Sequence, residues 1–248
     1  MRLAERIIKT EATACGGDLL EQRGRVYTFL NPVSYVDALR HKDLFAQFDG
    51  IFADGSVLVK AIRLMYGKKV TRRSCDWTSI AKDIFLKSEH TGERIYLIGS
   101  KPGEVDKAVG LFKEKCPKAV IAGYHHGYFN NEEERDTAIR TMVAARPDFL
   151  FVGMGIIKQE EFLLRAKALG FEGTGFTCGG FIHQTAQTQV GYYPEWIDRW
   201  NMRFLYRMYK EPYTRKRYIV GGVFSRFASF GSASSAGNTA SFLASKLC

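Results

Sequence analysis

Apolar and polar positions along the chain fall into two alternating rhythms. Short apolar runs occur at RVYTFL (25–30), GIFAD (50–54), RIYLIGS (94–100), AVIAGY (119–124), DFLFVGMG (148–155) and GTGFTCGG (173–180). Their length and their bounding Gly, Asp and Asn residues read as buried strands. Between them lie segments with apolar residues every third or fourth place: 32–48, 56–67, 102–116, 130–145 and 158–170. Those are helix patterns, two of them opened by proline and one by an acidic cluster. Strands alternating with helices predict an α/β fold of Rossmann-like type, a largely parallel sheet with helices on both faces.

The rhythm stops near Pro194. Trp196, Trp200, Phe204 and Met208 recur at helical spacing, and Arg199, Arg203 and Arg207 follow the same period on a neighbouring face. Between 199 and 217 there are seven basic residues and one acidic residue, Glu211. This predicts a basic amphipathic appendage over 195–248, ending in a Ser/Ala/Gly-rich tail, after a catalytic domain over 1–194. Such an aromatic face can pack on the core, or it can carry a soluble enzyme to an anionic membrane surface.

Charge narrows the partners. The chain of 248 residues carries a formal net charge of +10, which favours anionic ligands. Cys15, Cys75, Cys116, Cys178 and Cys248 are scattered without a Cys-x-x-Cys pair, so neither a zinc site nor a disulfide framework is indicated. The N-terminal stretch has charges every few residues and does not read as a secretory signal. The expected location is cytoplasmic, peripheral on the inner face of the cell membrane.

In a parallel sheet, ligands gather outside the carboxyl ends of the strands. That edge collects Asn31, Asp54, Ser100 and Lys101, then Tyr124 to Tyr128, then Lys158, Gln159 and Glu160. Glycines at 99, 153 and 155 would let a ligand approach the backbone, and helix N-termini favour phosphate. A dinucleotide fingerprint starting at Gly153 would need glycine at 158, which is lysine, and there is no Walker A motif. Each residue also has an ordinary explanation. Asp54-Gly55 is common turn chemistry, Asn31 before Pro32 is a natural helix cap, and Gln159-Glu160 could open a helix. His125 and His126 lack a third ligand and are read as loop residues; His183 could orient a substrate or pack.

The segments FLNP, FADGSVLVKAIRLMYG, RRSCD, YLIGSKPG, GYHHGYF, GMGIIKQE and YRMYKEP occur in this order between residues 25 and 218. In that order the chain resembles the WecG/TagA/CpsF glycosyltransferase family. The resemblance implies an inverting transferase that moves N-acetylmannosamine from UDP to an undecaprenyl-pyrophosphate-linked sugar. It casts Asp54 as the general base that deprotonates the acceptor hydroxyl. It casts Asn31, Thr28, Tyr128, Phe129 and Gln159 as contacts of the sugar nucleotide, beside the ligand-facing glycines Gly99 and Gly155, with Arg73, or its neighbour Arg72, facing the pyrophosphate. It places Arg207, Arg215 and Arg217 near the lipid phosphates. No cofactor and no metal are expected. Ile157 stands where the family pattern has proline before K-Q-E.

Two other readings compete. One is transfer of glucose or another hexose to a longer lipid-linked oligosaccharide. The other is a non-catalytic basic module binding nucleic acid, which would leave Asp54 and the glycine loops without a purpose; it is ranked below both transferase readings, so no nucleic-acid partner is expected. Self-association is left open.

Overall fold

The computed structural model describes residues 1–14 and 19–187. The appendage expected over 195–248, with its aromatic stripe and Arg207, Arg215 and Arg217, lies outside the described residues.

The described chain is an α/β fold around one six-stranded, all-parallel sheet. The strands are β1 (Val26–Leu30), β2 (Gly50–Ala53), β3 (Arg94–Gly99), β4 (Val120–His125), β5 (Phe149–Gly153) and β6 (Thr174–Thr177), ordered β2-β1-β6-β5-β3-β4. The helices are α1 (Leu3–Ala14), α2 (Pro32–Arg40), α3 (Lys42–Ala46), α4 (Ser56–Tyr66), α5 (Ile80–Thr91), α6 (Glu104–Lys115), α7 (Glu132–Ala144), α8 (Lys158–Ala168) and α9 (Phe181–Gln187).

Strand alternation sorts the core into two layers. On one face Leu150, Val152, Ile98, Leu30 and Ile51 pack under α1 to α4, α7 and α8, through Ile7, Tyr35, Phe45, Ile62, Met142 and Phe162. On the other, Phe149, Phe151, Leu97, Tyr27, Phe52 and Phe176 meet α5, α6 and α9. That second layer is a run of rings: Tyr27–Phe176 centroids lie 5.5 Å apart and Phe85–Phe112 5.0 Å. Such contacts add to plain area burial.

The helix read over 32–48 is two helices. His41 leaves the helical conformation at φ −123°, caps α2 through its N–H on Ala38 O, and opens α3. The amphipathic segment that forms α5 carries its apolar side with Ile80, Ile84 and Phe85, and ends on Gly92 at φ 76°.

The connections set the crevice. From β3 the chain crosses through α6 to β4 on one side; from β5 it crosses through α8 to β6 on the other. Where adjacent parallel strands send their crossovers in opposite directions, a crevice opens at their carboxyl ends. Here it lies between Gly99 and Gly153, paired in register.

Candidate active site at the carboxyl edge of the sheet

The helices that follow β1, β2, β3 and β5 all start at this edge, and their first turns differ. Asn31 caps α2, its Oδ1 accepting from Val33 N and Ser34 N at 3.0 Å each. In α6, Glu104 accepts from Lys101 N and Asp106 from Gly103 N; in α8, Glu160 accepts from Ile157 N at 2.6 Å. Those N-termini are filled by their own carboxylates. Only α4 among these four starts with neither a side-chain cap nor an acidic residue in its first turn. Its orphan N–H groups and dipole favour an anion there.

Asp54 sits at that start. Its backbone N–H donates to Leu30 O at 2.8 Å, and Arg73 N–H donates to Ala53 O at 3.0 Å, which ties the end of β2 to β1 and to the returning chain. Arg72 Nε lies 3.6 Å from Asp54 Oδ1, and its Nη2 reaches Ser74 Oγ at 3.3 Å. The two side chains of the pair are each about one-third exposed, 29% and 34%. Arg73 turns elsewhere: its Nε lies 3.8 Å from Glu11 of α1 and its guanidinium 5.5 Å over the Phe52 ring. Of the two arginines, the structure therefore brings Arg72 to Asp54. Cys75 beside them is buried; burial pushes its thiol well up, and Cys178, Asp76 and Asp54 add to this.

Thr28 and Gln159 lie beneath the edge in a closed polar network. Thr28 occupies an inward position of β1 between Val26 and Leu30 and is 0% exposed; Gln159 is 4% exposed and Glu160 0%. Glu160 Oε1 accepts from Thr28 Oγ1 at 2.8 Å and from Gln159 Nε2 at 2.9 Å. Thr177 Oγ1 donates to Thr28 Oγ1 at 2.9 Å, and Gly179 N donates to Gln159 Oε1 at 3.1 Å. Burial raises the Glu160 carboxyl above its ordinary value, with hydrogen bonds from Gln159, Thr28 and Ile157 opposing. Four groups thus lock β1, β6, the loop after β5 and α8 together. Ile157 stands at φ 73°, a left-handed conformation unusual for a β-branched residue, and its N–H is held by Glu160.

The crevice glycines serve the sheet as much as a ligand. A Cβ on Gly99 would lie 2.3 Å from Gly153 O, and one on Gly153 2.8 Å from Gly179 O. Close strand approach, not open room, fills those two places. Gly155 is exposed at φ 80° with nothing near it, so it remains a backbone turn open to a ligand. Of the aromatic pair, Phe129 stacks on His125 at 5.3 Å and on Phe162 at 5.8 Å, whereas Tyr128 is 58% exposed. His125 ends β4 and His126 opens the loop after it, with His125 Nδ1 2.7 Å from His126 O, so the loop reading holds for His126 and not for His125.

One cluster exceeds what the sequence showed. Ser100, at φ 63°, donates to a Glu104 oxygen that also meets His183 Nδ1 at 3.0 Å, while Gln187 Nε2 reaches the other oxygen at 3.2 Å. Partial burial works against ionisation of Glu104, but the bonds from Ser100, His183 and Lys101 N bring its carboxyl down to about 2. The signal available in sequence was an acidic residue in the first turn of a helix, which by itself reads as capping. His183 on α9 is thereby held against the start of α6 at the same edge.

A carboxylate beside an arginine, an uncapped helix start and a switch-point crevice meet at one edge of a Rossmann-like sheet, where ligands of such folds bind. The chain belongs to the glycosyl transferase WecG/TagA/CpsF family, whose pattern matches residues 7–231. It is 38% identical over 195 residues to the UDP-Gal:alpha-D-GlcNAc-diphosphoundecaprenol beta-1,4-galactosyltransferase of Shigella boydii, covering 79% of this chain and 81% of that protein. It is 26% identical over 199 residues to the N-acetylglucosaminyldiphosphoundecaprenol N-acetyl-beta-D-mannosaminyltransferase of Bacillus subtilis (strain 168), covering 79% and 75%. The protein of the same name in Staphylococcus aureus (strain NCTC 8325 / PS 47) is 31% identical over 123 residues, 49% of this chain and 46% of that protein. The chain is thus a glycosyltransferase, and the relatives named here use lipid-diphosphate-linked acceptors but different sugars.

Proposed function

We propose that this enzyme transfers a hexose, galactose first among the candidates, from UDP to a sugar linked to undecaprenyl diphosphate, with inversion at the anomeric carbon. The observation that carries the reaction is Asp54, held at the uncapped start of α4 with Arg72 3.6 Å away. The choice of galactose leans on the 38% identity to the Shigella boydii enzyme, against 26% and 31% for the mannosaminyltransferases. N-acetylmannosamine is the second candidate.

In this reading Asp54 accepts the proton of the acceptor hydroxyl as its oxygen attacks C1. The C1–O bond to UDP breaks, and the electron pair leaves with the β-phosphate. Arg72 and the free N–H groups of α4 stabilise the growing negative charge. Asp54 lies three strand spacings from the β5 end of the crevice, about 14 Å along the edge. A sugar nucleotide bridges such a span, with uracil toward Gly155 and Tyr128 and its sugar over β1 and β2. Asn31 presents its amide NH2 there, since its Oδ1 is committed to the cap. Thr28 and Gln159 act from below by fixing the loops. Arg207, Arg215 and Arg217 approach the lipid phosphates, and the enzyme works as a peripheral protein at the membrane.

The test is UDP release from UDP-galactose, UDP-N-acetylmannosamine and UDP-glucose, with and without a short-chain polyprenyl-diphosphate N-acetylglucosamine acceptor. Acceptor-dependent release with UDP-galactose, falling about 10²–10⁴-fold in a folded Asp54→Asn variant, is the expected result. Undiminished release by Asp54→Asn would remove the base, and acceptor-dependent release only from another UDP-sugar would replace galactose.

A further inference from the structure

The helix that begins one residue after Asp54-Gly55 has an unusual surface. Among the described helices, α4 alone carries Lys or Arg and no acidic residue. From Gly55 to Arg73 the chain contains Lys60, Arg63, Lys68, Lys69, Arg72 and Arg73 and no Asp or Glu. Leu58 and Ile62 turn inward and are fully buried. Outward stand Lys60, Arg63, Lys68 and Lys69, all exposed, together with Leu64 at 73% and Met65 at 38% exposure. None of these four cations forms an ion pair with a described residue, whereas α1, α2, α5, α7 and α8 mix both signs on their surfaces. Mixed signs suit water; one sign around exposed leucine and methionine suits an anionic interface.

We infer that the outer face of α4 and the Lys68-Lys69 turn form a docking surface for an anionic lipid bilayer, separate from the basic C-terminal segment. This inference rests on the reading of the enzyme as a transferase to a lipid-linked acceptor. Charge decides the occupant. The 199–217 segment has seven basic residues and one acidic residue, so its charge does not complement this face. A second copy meeting the same face through a two-fold axis would bring like charges together. An anionic headgroup layer satisfies both the cations and the two apolar side chains. Leu64 lies eight residues beyond Ser56, about 12 Å along the helix. A helix lying on the surface would hold its N-terminal end, and with it Asp54, within reach of a diphosphate at headgroup level.

The experiment is co-sedimentation of the full chain with vesicles of phosphatidylcholine alone and with added phosphatidylglycerol. The variants are Lys60→Gln/Arg63→Gln/Lys68→Gln/Lys69→Gln, Leu64→Ser/Met65→Ser and, for comparison, Arg207→Gln/Arg215→Gln/Arg217→Gln. The first variant is expected to lower partitioning onto anionic vesicles by about tenfold or more, with a smaller loss for the second. UDP release with a short-chain, water-soluble acceptor should stay at the wild-type level in both, since neither touches the reacting groups. Wild-type partitioning in the first variant overturns the inference. So does equal wild-type binding to neutral and anionic vesicles, or a changed oligomeric state with unchanged vesicle binding. Vesicle binding and release in solution are separate readouts, so failure of the proposed transfer and failure of the docking surface are told apart.

Discussion

Replacing Thr28 by valine separates a structural role from a contact with the sugar nucleotide. The side chains have nearly the same shape, so no cavity forms, and the change removes one hydroxyl. That hydroxyl donates to Glu160 Oε1 at 2.8 Å and accepts from Thr177 Oγ1 at 2.9 Å, fully buried. Removing one partner of a buried hydrogen bond costs about 1–3 kcal/mol. Thr177 loses an acceptor as well, and its rotation recovers part of that loss. The expected destabilisation is about 2–3 kcal/mol, read from urea unfolding at neutral pH. Combining it with Glu160→Gln should show a coupling of about 1–2 kcal/mol, because both changes break the same bond. Turnover should fall with the displaced loops, while KM for the sugar nucleotide moves little. Stability within about 0.5 kcal/mol of wild type, with a large rise in KM, would refute this account and turn the hydroxyl toward the sugar nucleotide.

Gly99→Ala should destabilise the protein by about 3 kcal/mol or more in thermal unfolding, because the added Cβ would lie 2.3 Å from Gly153 O and must push β3 from β5. Glu104→Gln should flatten the acid limb of stability: the native carboxyl sits at about 2 against an ordinary 4.5, so its contribution is present above 4.5 and is lost as pH falls toward 2. Urea midpoints across that range check it, and an unchanged limb would show that the bonds to Ser100 and His183 do not hold in solution. Arg72→Ala should reduce turnover about 10–100-fold, whereas Arg73→Ala should cost about 1 kcal/mol of stability through Glu11 and Phe52 with a smaller effect on rate. The opposite order in a kinetic and unfolding comparison would move the pyrophosphate to Arg73.

The alternation of apolar runs and helical periods was enough to read the parallel sheet, since strands buried on both faces must be short and apolar throughout. Asp54 was legible because it ends such a run just before a helix. The direction of Arg72 and Arg73 was not, because adjacent arginines in an irregular segment have no period to set their faces. Thr28 and Gln159 were marked as important by their pattern, but burial decides whether a polar atom meets a ligand or a partner, and burial is a tertiary property. The Glu104–His183 contact joins residues 79 positions apart, and only the packing of α9 on α6 creates it. Gly99 and Gly153 looked like ligand-facing glycines; their partner across the strand pair became visible only with the register.

The strand order carries a consequence for how the chain is made. β6 is the last described strand to leave the ribosome, yet it sits between β1 and β5. Until residues 174–177 emerge, β2 and β1 on one side and β5, β3 and β4 on the other share no ladder. Each nascent sheet then presents a bare edge, the template on which chains pair with one another. A product truncated before Thr174 would hold two ladders with no strand between them, Asp54 at the end of one and the crevice glycines on the other. Pairing of one four-residue strand therefore joins the two ladders, covers both inner edges and brings the ends of β2 and β5 into one sheet.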